Sequence, residues 1–111
     1  MNIGISDGND CTVLTLDGRL DSNTSEMLTQ QLNETMDNGQ HRIVIDFSKL
    51  AYISSAGLRV LLMAAKRGQA NNGKLILCNM QDHIREVFEI SGFLQILTVV
   101  NTREEAEEMA S

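Results

Sequence analysis

The stretch His41-Arg42-Ile43-Val44-Ile45-Asp46-Phe47-Ser48-Lys49-Leu50-Ala51-Tyr52-Ile53-Ser54-Ser55-Ala56-Gly57-Leu58 carries the transition that decides the fold. Across His41 to Phe47, the residues Ile43, Ile45 and Phe47 alternate with Val44 and Asp46. A period of two belongs to a strand, whose successive side chains point to opposite faces. From Leu58 onward Leu61, Leu62 and Ala65 recur at helical spacing. Between the two patterns, Ser48 to Gly57 reads as a connecting loop with two serines at its helical end.

Working outward, the same alternation of periods repeats. Upstream, Ile3, Ile5 and Val13 flank Asp7-Gly8-Asn9-Asp10, which predicts two short strands joined by a turn. Asn23 followed by Glu26 has the form of a capping box, and Leu28, Leu32, Thr35 and Met36 continue it as a helix from about Thr24 to Asp37, ended by Asn38-Gly39. Downstream, Asn71-Asn72-Gly73 is a turn signal before an apolar strand, Lys74 to Cys78. Asn79 and Asp82 introduce a helix carrying Ile84, Val87 and Phe88, stopped by Gly92. A short strand near Ile96 to Val100 and an acidic helix from Asn101-Thr102 through Met109 complete the chain. The order β-β-α-β-α-β-α-β-α predicts an α/β fold with a mixed, mostly parallel sheet of about five strands. Right-handed crossovers between neighbouring strands place the crossover helices on one face, and all four helices are expected there.

Length and composition narrow the function. One hydrophobic core is the expectation for 111 residues, hence a single domain over 1–111. The N-terminus lacks a signal-peptide pattern and no apolar run approaches a membrane span, so a cytoplasmic location is expected. Cys11 and Cys78 lie far apart inside strand-like segments and read as reduced core thiols rather than metal ligands. Met27, Met36, Met63 and Met80 fall in or beside apolar stripes and read as packing filler. A net charge of -6 argues against nucleic acid and anionic membrane surfaces, which bind clustered Lys and Arg, and favours protein partners.

In open sheets, functional loops collect beyond the carboxyl ends of the strands. Two segments meet that description, Asp17-Gly18-Arg19-Leu20-Asp21 and Ser48 to Gly57, and consecutive parallel strands bring Asp21 and Ser55 to the same edge. Ser54 and Ser55 fall at the start of the second helix, where free backbone N–H groups and the positive dipole end favour an anion. The plain alternative is that one of the two is an ordinary N-cap. Asp46 reads as an organiser of loop backbone through hydrogen bonds.

The segment from Asp46 to Leu58 resembles the signature of the STAS-domain family of SpoIIAA-like anti-sigma factor antagonists, roughly Asp-Leu-Ser, three variable residues, an aliphatic residue, then Asp-Ser-Ser/Thr-Gly-Leu. Gly18-Arg19-Leu20-Asp21 is similar to the family's Gly-Glu-Leu-Asp segment, and the element order matches over essentially the whole chain. The sequence departs from the pattern at Ser54, where Asp is usual, and at Ala56, where Ser or Thr is common.

The resemblance implies a protein that is not itself an enzyme and carries no cofactor or metal. It is instead the substrate of a GHKL-type anti-sigma factor/serine kinase and of a PP2C-type phosphatase. Ser55 is then the phosphoacceptor, and Asp21, Ser22, Asn23, Ser54, Ala56, Gly57 and Leu58 form the partner-binding patch. The free protein is expected to be a monomer. A STAS-like regulatory subunit of another system, such as a lipid-transport ATPase or a partner-switching phosphatase pathway, is the alternative.

Other chemistries fit less well. Ile53-Ser54-Ser55-Ala56-Gly57 lacks the first glycine of a Gly-x-Ser-x-Gly elbow. His41 precedes the third strand and His83 begins a later helix, so neither is placed as a base, and both read as solvated. A receiver domain needs paired acids beside Asp46, and a nucleotide site needs a glycine-rich phosphate loop; neither is present.

Overall fold

A computed structural model describes residues 1–8 and 10–111. Five strands, β1 (Asn2–Asp7), β2 (Thr12–Leu20), β3 (Arg42–Ile53), β4 (Lys74–Cys78) and β5 (Thr98–Val100), form one sheet in the order β1-β2-β3-β4-β5. β1 runs antiparallel to β2, and each later neighbour pairs in parallel. The turn expected at Asp7 to Asp10 joins β1 to β2, with Asn9 outside the described residues. Helices α1 (Ser25–Asp37), α2 (Ser55–Ala70) and α3 (Asp82–Ser91) make the crossovers, and α4 (Arg103–Ala110) follows β5.

The period-two alternation of β2, β3 and β4 sorts their side chains into two separate clusters. Leu14, Ile43, Ile45, Leu75 and Leu77 join Leu28, Leu32 and Met36 of α1, Leu58 and Leu61 of α2, and Ile84 and Phe88 of α3. Phe47 and Phe88 meet edge to face with ring centroids 6.0 Å apart, a geometry aromatic quadrupoles favour. On the other side, Cys11, Val13, Val44, Ile76 and Cys78 pack against Ala106 and Ala110 of α4. The expectation of four helices on one face is therefore corrected to three on one face and one on the other. The handedness rule governs only helices that lie between parallel strands. Among the described residues α4 links no two parallel strands, so the rule does not bind it to that face, and its two alanines allow close approach to the other.

The strands are also longer than their patterns suggested. β3 does not end at Phe47; it continues to Ile53, paired with β2 as far as Leu20↔Ile53. Both expected loops are largely strand, and the connection from β3 to α2 shrinks to Ser54. Register shifts between Thr15 and Asp17 and between Gly18 and Arg19 interrupt the alternation, which is why the extension does not read as strand. Gly18 sits at φ 120°, a backbone that a side chain disfavours. Among the methionines, Met36 is buried and Met80 half-buried, but Met27 and Met63 are exposed, Met63 by 71%. The filler reading fails for those two; Met63 stands at the rim of an open groove between α1 and α2 that Leu32, Met36 and Val60 also line.

Candidate functional site

The site lies where β2 and β3 end together. Ser54 N donates to Leu20 O at 2.9 Å, so the chain leaves β3 while still bonded to the last residue of β2. Asp21 and Ser55 each lie one residue beyond that bond, which puts both segments at one edge of the sheet, as the sequence leads one to expect.

Ser54 is the N-cap of α2, with extended backbone (φ -99°, ψ 172°) and a side-chain oxygen that accepts from Gly57 N at 3.3 Å. Ser55 is the first helical residue, exposed, and among the described residues its hydroxyl has no hydrogen-bond partner. The two serines thus divide the roles that the sequence left open: one caps, the other is free. α2 has no acidic residue in its first turn, so the dipole end next to Ser55 is not already neutralised. Arg59 and Met63, one and two turns farther along the face that carries Ser55, are exposed as well. Ala56 is half-buried, whereas Gly57 and Leu58 are buried against the core. These last two were expected to line a partner surface, but their burial turns them towards the core. A Cβ on Gly57 would stand 2.7 Å from Leu20 Cγ and 2.9 Å from its Cδ2, so only glycine lets α2 approach β2 this closely.

Across the edge, Asp21 organises the start of α1. Its carboxylate accepts from Asn23 N at 3.0 Å and Thr24 N at 3.1 Å, and the Thr24 hydroxyl donates to Arg19 O at 2.7 Å. The Thr24 backbone bond leads the causes that hold Asp21 below the usual carboxylate range, with the Thr24 hydroxyl, the Asn23 bond and the Arg19 charge adding to it against a smaller desolvation penalty. The capping box expected from Asn23 and Glu26 is not formed. The N-cap is Thr24, without a side-chain cap bond, its hydroxyl being engaged instead by Arg19 O and Asp21 N. Ser22 and Asn23 are exposed at the rim. The Arg19 guanidinium stacks 4.2 Å from the centroid of the Tyr52 ring. That pair was invisible beforehand, since only the β2/β3 register sets Arg19 opposite Tyr52.

Beneath the edge, Asp46 is buried, accepting from Ser48 N at 2.9 Å and Asn79 Nδ2 at 3.3 Å, the backbone-organising role its position suggested. His83 is exposed, but its Nε2 lies 2.7 Å from Ala51 O, so solvation alone does not describe it. His41 departs further, being half-buried with a buried Nδ1 that has no partner among the described residues. Cys11 and Cys78 are free, buried thiols. Burial pushes Cys78 up to about 12, with the Asp46 charge next in effect. Among the described residues, no helix is long and apolar enough to cross a membrane.

A mixed sheet in sequential order, with α2 starting directly off the end of β3, defines the STAS domain class, and the chain belongs to that family: the STAS domain matches residues 3–106. A Bordetella bronchiseptica protein named as a candidate anti-sigma factor antagonist, BtrV, is 50% identical over 91 residues, covering 82% of this chain and 78% of the relative. The anti-sigma F factor antagonist of Paenibacillus polymyxa is 27% identical over 88 residues, 78% of this chain and 75% of that protein. Among solved structures, a protein from Thermotoga maritima named as a candidate anti-sigma factor antagonist superposes with a TM-score of 0.91 at 18% identity, covering 97% of this chain and 93% of that one. The phosphorylated form of the Bacillus protein SpoIIAA gives 0.74 at 24% identity over 99% and 100% of the two chains. At these identities the structures establish a shared fold.

Proposed function

We propose that this chain is an anti-sigma factor antagonist, one STAS domain acting as a protein-binding switch controlled by phosphorylation of Ser55. Unmodified, it binds a GHKL-type anti-sigma factor/serine kinase and relieves inhibition of a sigma factor or another client. The kinase passes the γ-phosphoryl group of ATP to Ser55 Oγ, releasing ADP and the hydroxyl proton, and a PP2C-type phosphatase restores the free hydroxyl. The chain is a substrate and binding partner rather than a catalyst, works in the cytoplasm, and is a monomer when free.

The observation that carries this reading is the exposed Ser55 hydroxyl, without a hydrogen-bond partner among the described residues, at the first position of α2, next to a serine already engaged as the cap. Phosphorylation adds about -1.5 to -2 charges. A helix N-terminus tolerates that charge, so the fold survives and the effect falls on docking. An interfacial penalty of roughly 3 kcal/mol lowers affinity more than a hundredfold. Asp21, Ser22, Asn23, Ser54 and Ala56 surround the phosphoacceptor in the contact patch, with Gly57 and Leu58 fixing its height. With the cognate kinase and ATP, intact-mass analysis should register one phosphate, mapped to Ser55 and absent from Ser55→Ala. Phosphate on Ser54, or none at all, refutes the assignment.

A further inference from the structure

β3 outlives its neighbour. Its last pairing with β4 is Asp46↔Cys78, yet it runs on to Ile53, immediately before the two serines. From Phe47 onward β2 holds one side of this strand and, among the described residues, no strand holds the other. An unpaired strand edge leaves carbonyl groups to find other donors. Here the donors are side chains from the start of α3. Gln81 Nε2 donates to both Ser48 O at 3.1 Å and Leu50 O at 3.0 Å, and His83 Nε2 lies 2.7 Å from Ala51 O. Just below them, Asn79 Nδ2 reaches the Asp46 carboxylate. The β4–α3 connection therefore stands in for the missing strand.

We propose that Gln81 and His83 are positioning residues for the phosphoacceptor: by holding the free half of β3 they set where the Ser55 hydroxyl stands when a kinase engages it. The inference rests on the reading of Ser55 given above. Neither residue belongs to the expected contact patch, and among the described residues neither hydrogen-bonds Ser55. Their influence passes along the strand from Ser48, Leu50 and Ala51 to Ile53 and Ser54. Because α3 itself packs through Ile84 and Phe88 into the core, the donors sit on a rigid element. Phosphoryl transfer is sensitive to displacement of the attacking oxygen, so a loosened strand costs turnover more than docking.

The test uses the full chain with Gln81→Leu, His83→Leu and the double variant, together with His83→Gln, which keeps an N–H donor. Hydrogen exchange reports the strand directly: in the double variant, amides 49–55 should exchange roughly tenfold faster, as expected for losing a few hydrogen bonds of ordinary net strength, while amides of β4 stay within about twofold. With the cognate kinase, kcat at Ser55 should fall about fivefold or more while KM changes little, and His83→Gln should recover most of what His83→Leu loses. Exchange that does not change overturns the tether. Faster exchange with unaltered kcat overturns the positioning role. Wild-type chain left unphosphorylated overturns the Ser55 reading and this inference with it, whereas wild type and variants phosphorylated alike overturn the inference only.

Discussion

Two glycines of the same helix should respond to the same substitution with opposite signs. Replacing Gly57 by alanine puts a methyl carbon 2.7 Å from Leu20 Cγ, 2.9 Å from Leu20 Cδ2 and 3.1 Å from Ile53 Cγ1. Comfortable carbon contacts begin near 3.5 Å, so about 0.5 to 1 Å of displacement is required. Leu20 is fully buried and Ile53 nearly so, and displacing either disturbs the core they pack in. Overpacking of this kind costs about 1–3 kcal/mol, offset by the ~0.5–1 kcal/mol that alanine gains over glycine in a helix. The net expectation for Gly57→Ala is a loss of roughly 1–2 kcal/mol, lowering the melting temperature by about 4–8 °C. Gly68, three turns later, has nothing within 4 Å of its would-be Cβ. Only the helix term remains there, and Gly68→Ala should stabilise by about 0.5–1 kcal/mol. Urea denaturation followed by circular dichroism at pH 7 measures both. If Gly57→Ala matches or exceeds wild-type stability, the close approach of α2 to β2 is not what keeps that position glycine.

Burial holds the Cys78 thiol near 12 against an ordinary 9.0, so above the lower value the unfolded chain releases a proton that the folded chain retains. Stability from this group is complete below about pH 9 and lost as pH rises towards 12; in urea titrations, Cys78→Ala should show a shallower alkaline decline than wild type. Asp21 has the reverse sign. Its lowered value makes it stabilising above the ordinary carboxylate range and less so as pH falls through the folded value, and Asp21→Asn should flatten the acid side of the melting-temperature profile. Phe88→Ala removes a fully buried ring packed edge to face on Phe47 and should cost about 3–5 kcal/mol by the same denaturation assay. Ser55→Asp should keep the wild-type circular dichroism spectrum while weakening kinase binding in a titration; a collapsed spectrum would assign Ser55 to folding.

Much of the architecture was legible because it is written in short-range spacing. Ile43, Ile45 and Phe47 declare a strand, Leu58, Leu61 and Leu62 a helix, and Gly92 a helix end, which it makes in the left-handed conformation at φ 82°. The parallel order followed from the alternation of these elements. The site was legible to the extent that two serines open a helix near Asp21. What was missed involves partners distant in sequence: Arg19 against Tyr52, Gln81 under Ser48 and Leu50, and His83 under Ala51. No periodicity within one segment encodes them, because each depends on how far one strand slides along another.

From its residues alone this chain determined which segments become strands and helices, the sequence in which they stack, and a helix start carrying two hydroxyls. Those properties arise between residues two to four positions apart, where side-chain direction and free backbone groups are local matters. Tertiary structure decided where β3 stops, which face α4 covers, and which hydroxyl caps the helix. The pairing of Leu20 with Ile53 runs β3 on until Ser54 must turn the corner, and turning it commits the Ser54 oxygen to Gly57 N and leaves Ser55 outward. Strand register is a relation between segments, and it exists only once they meet.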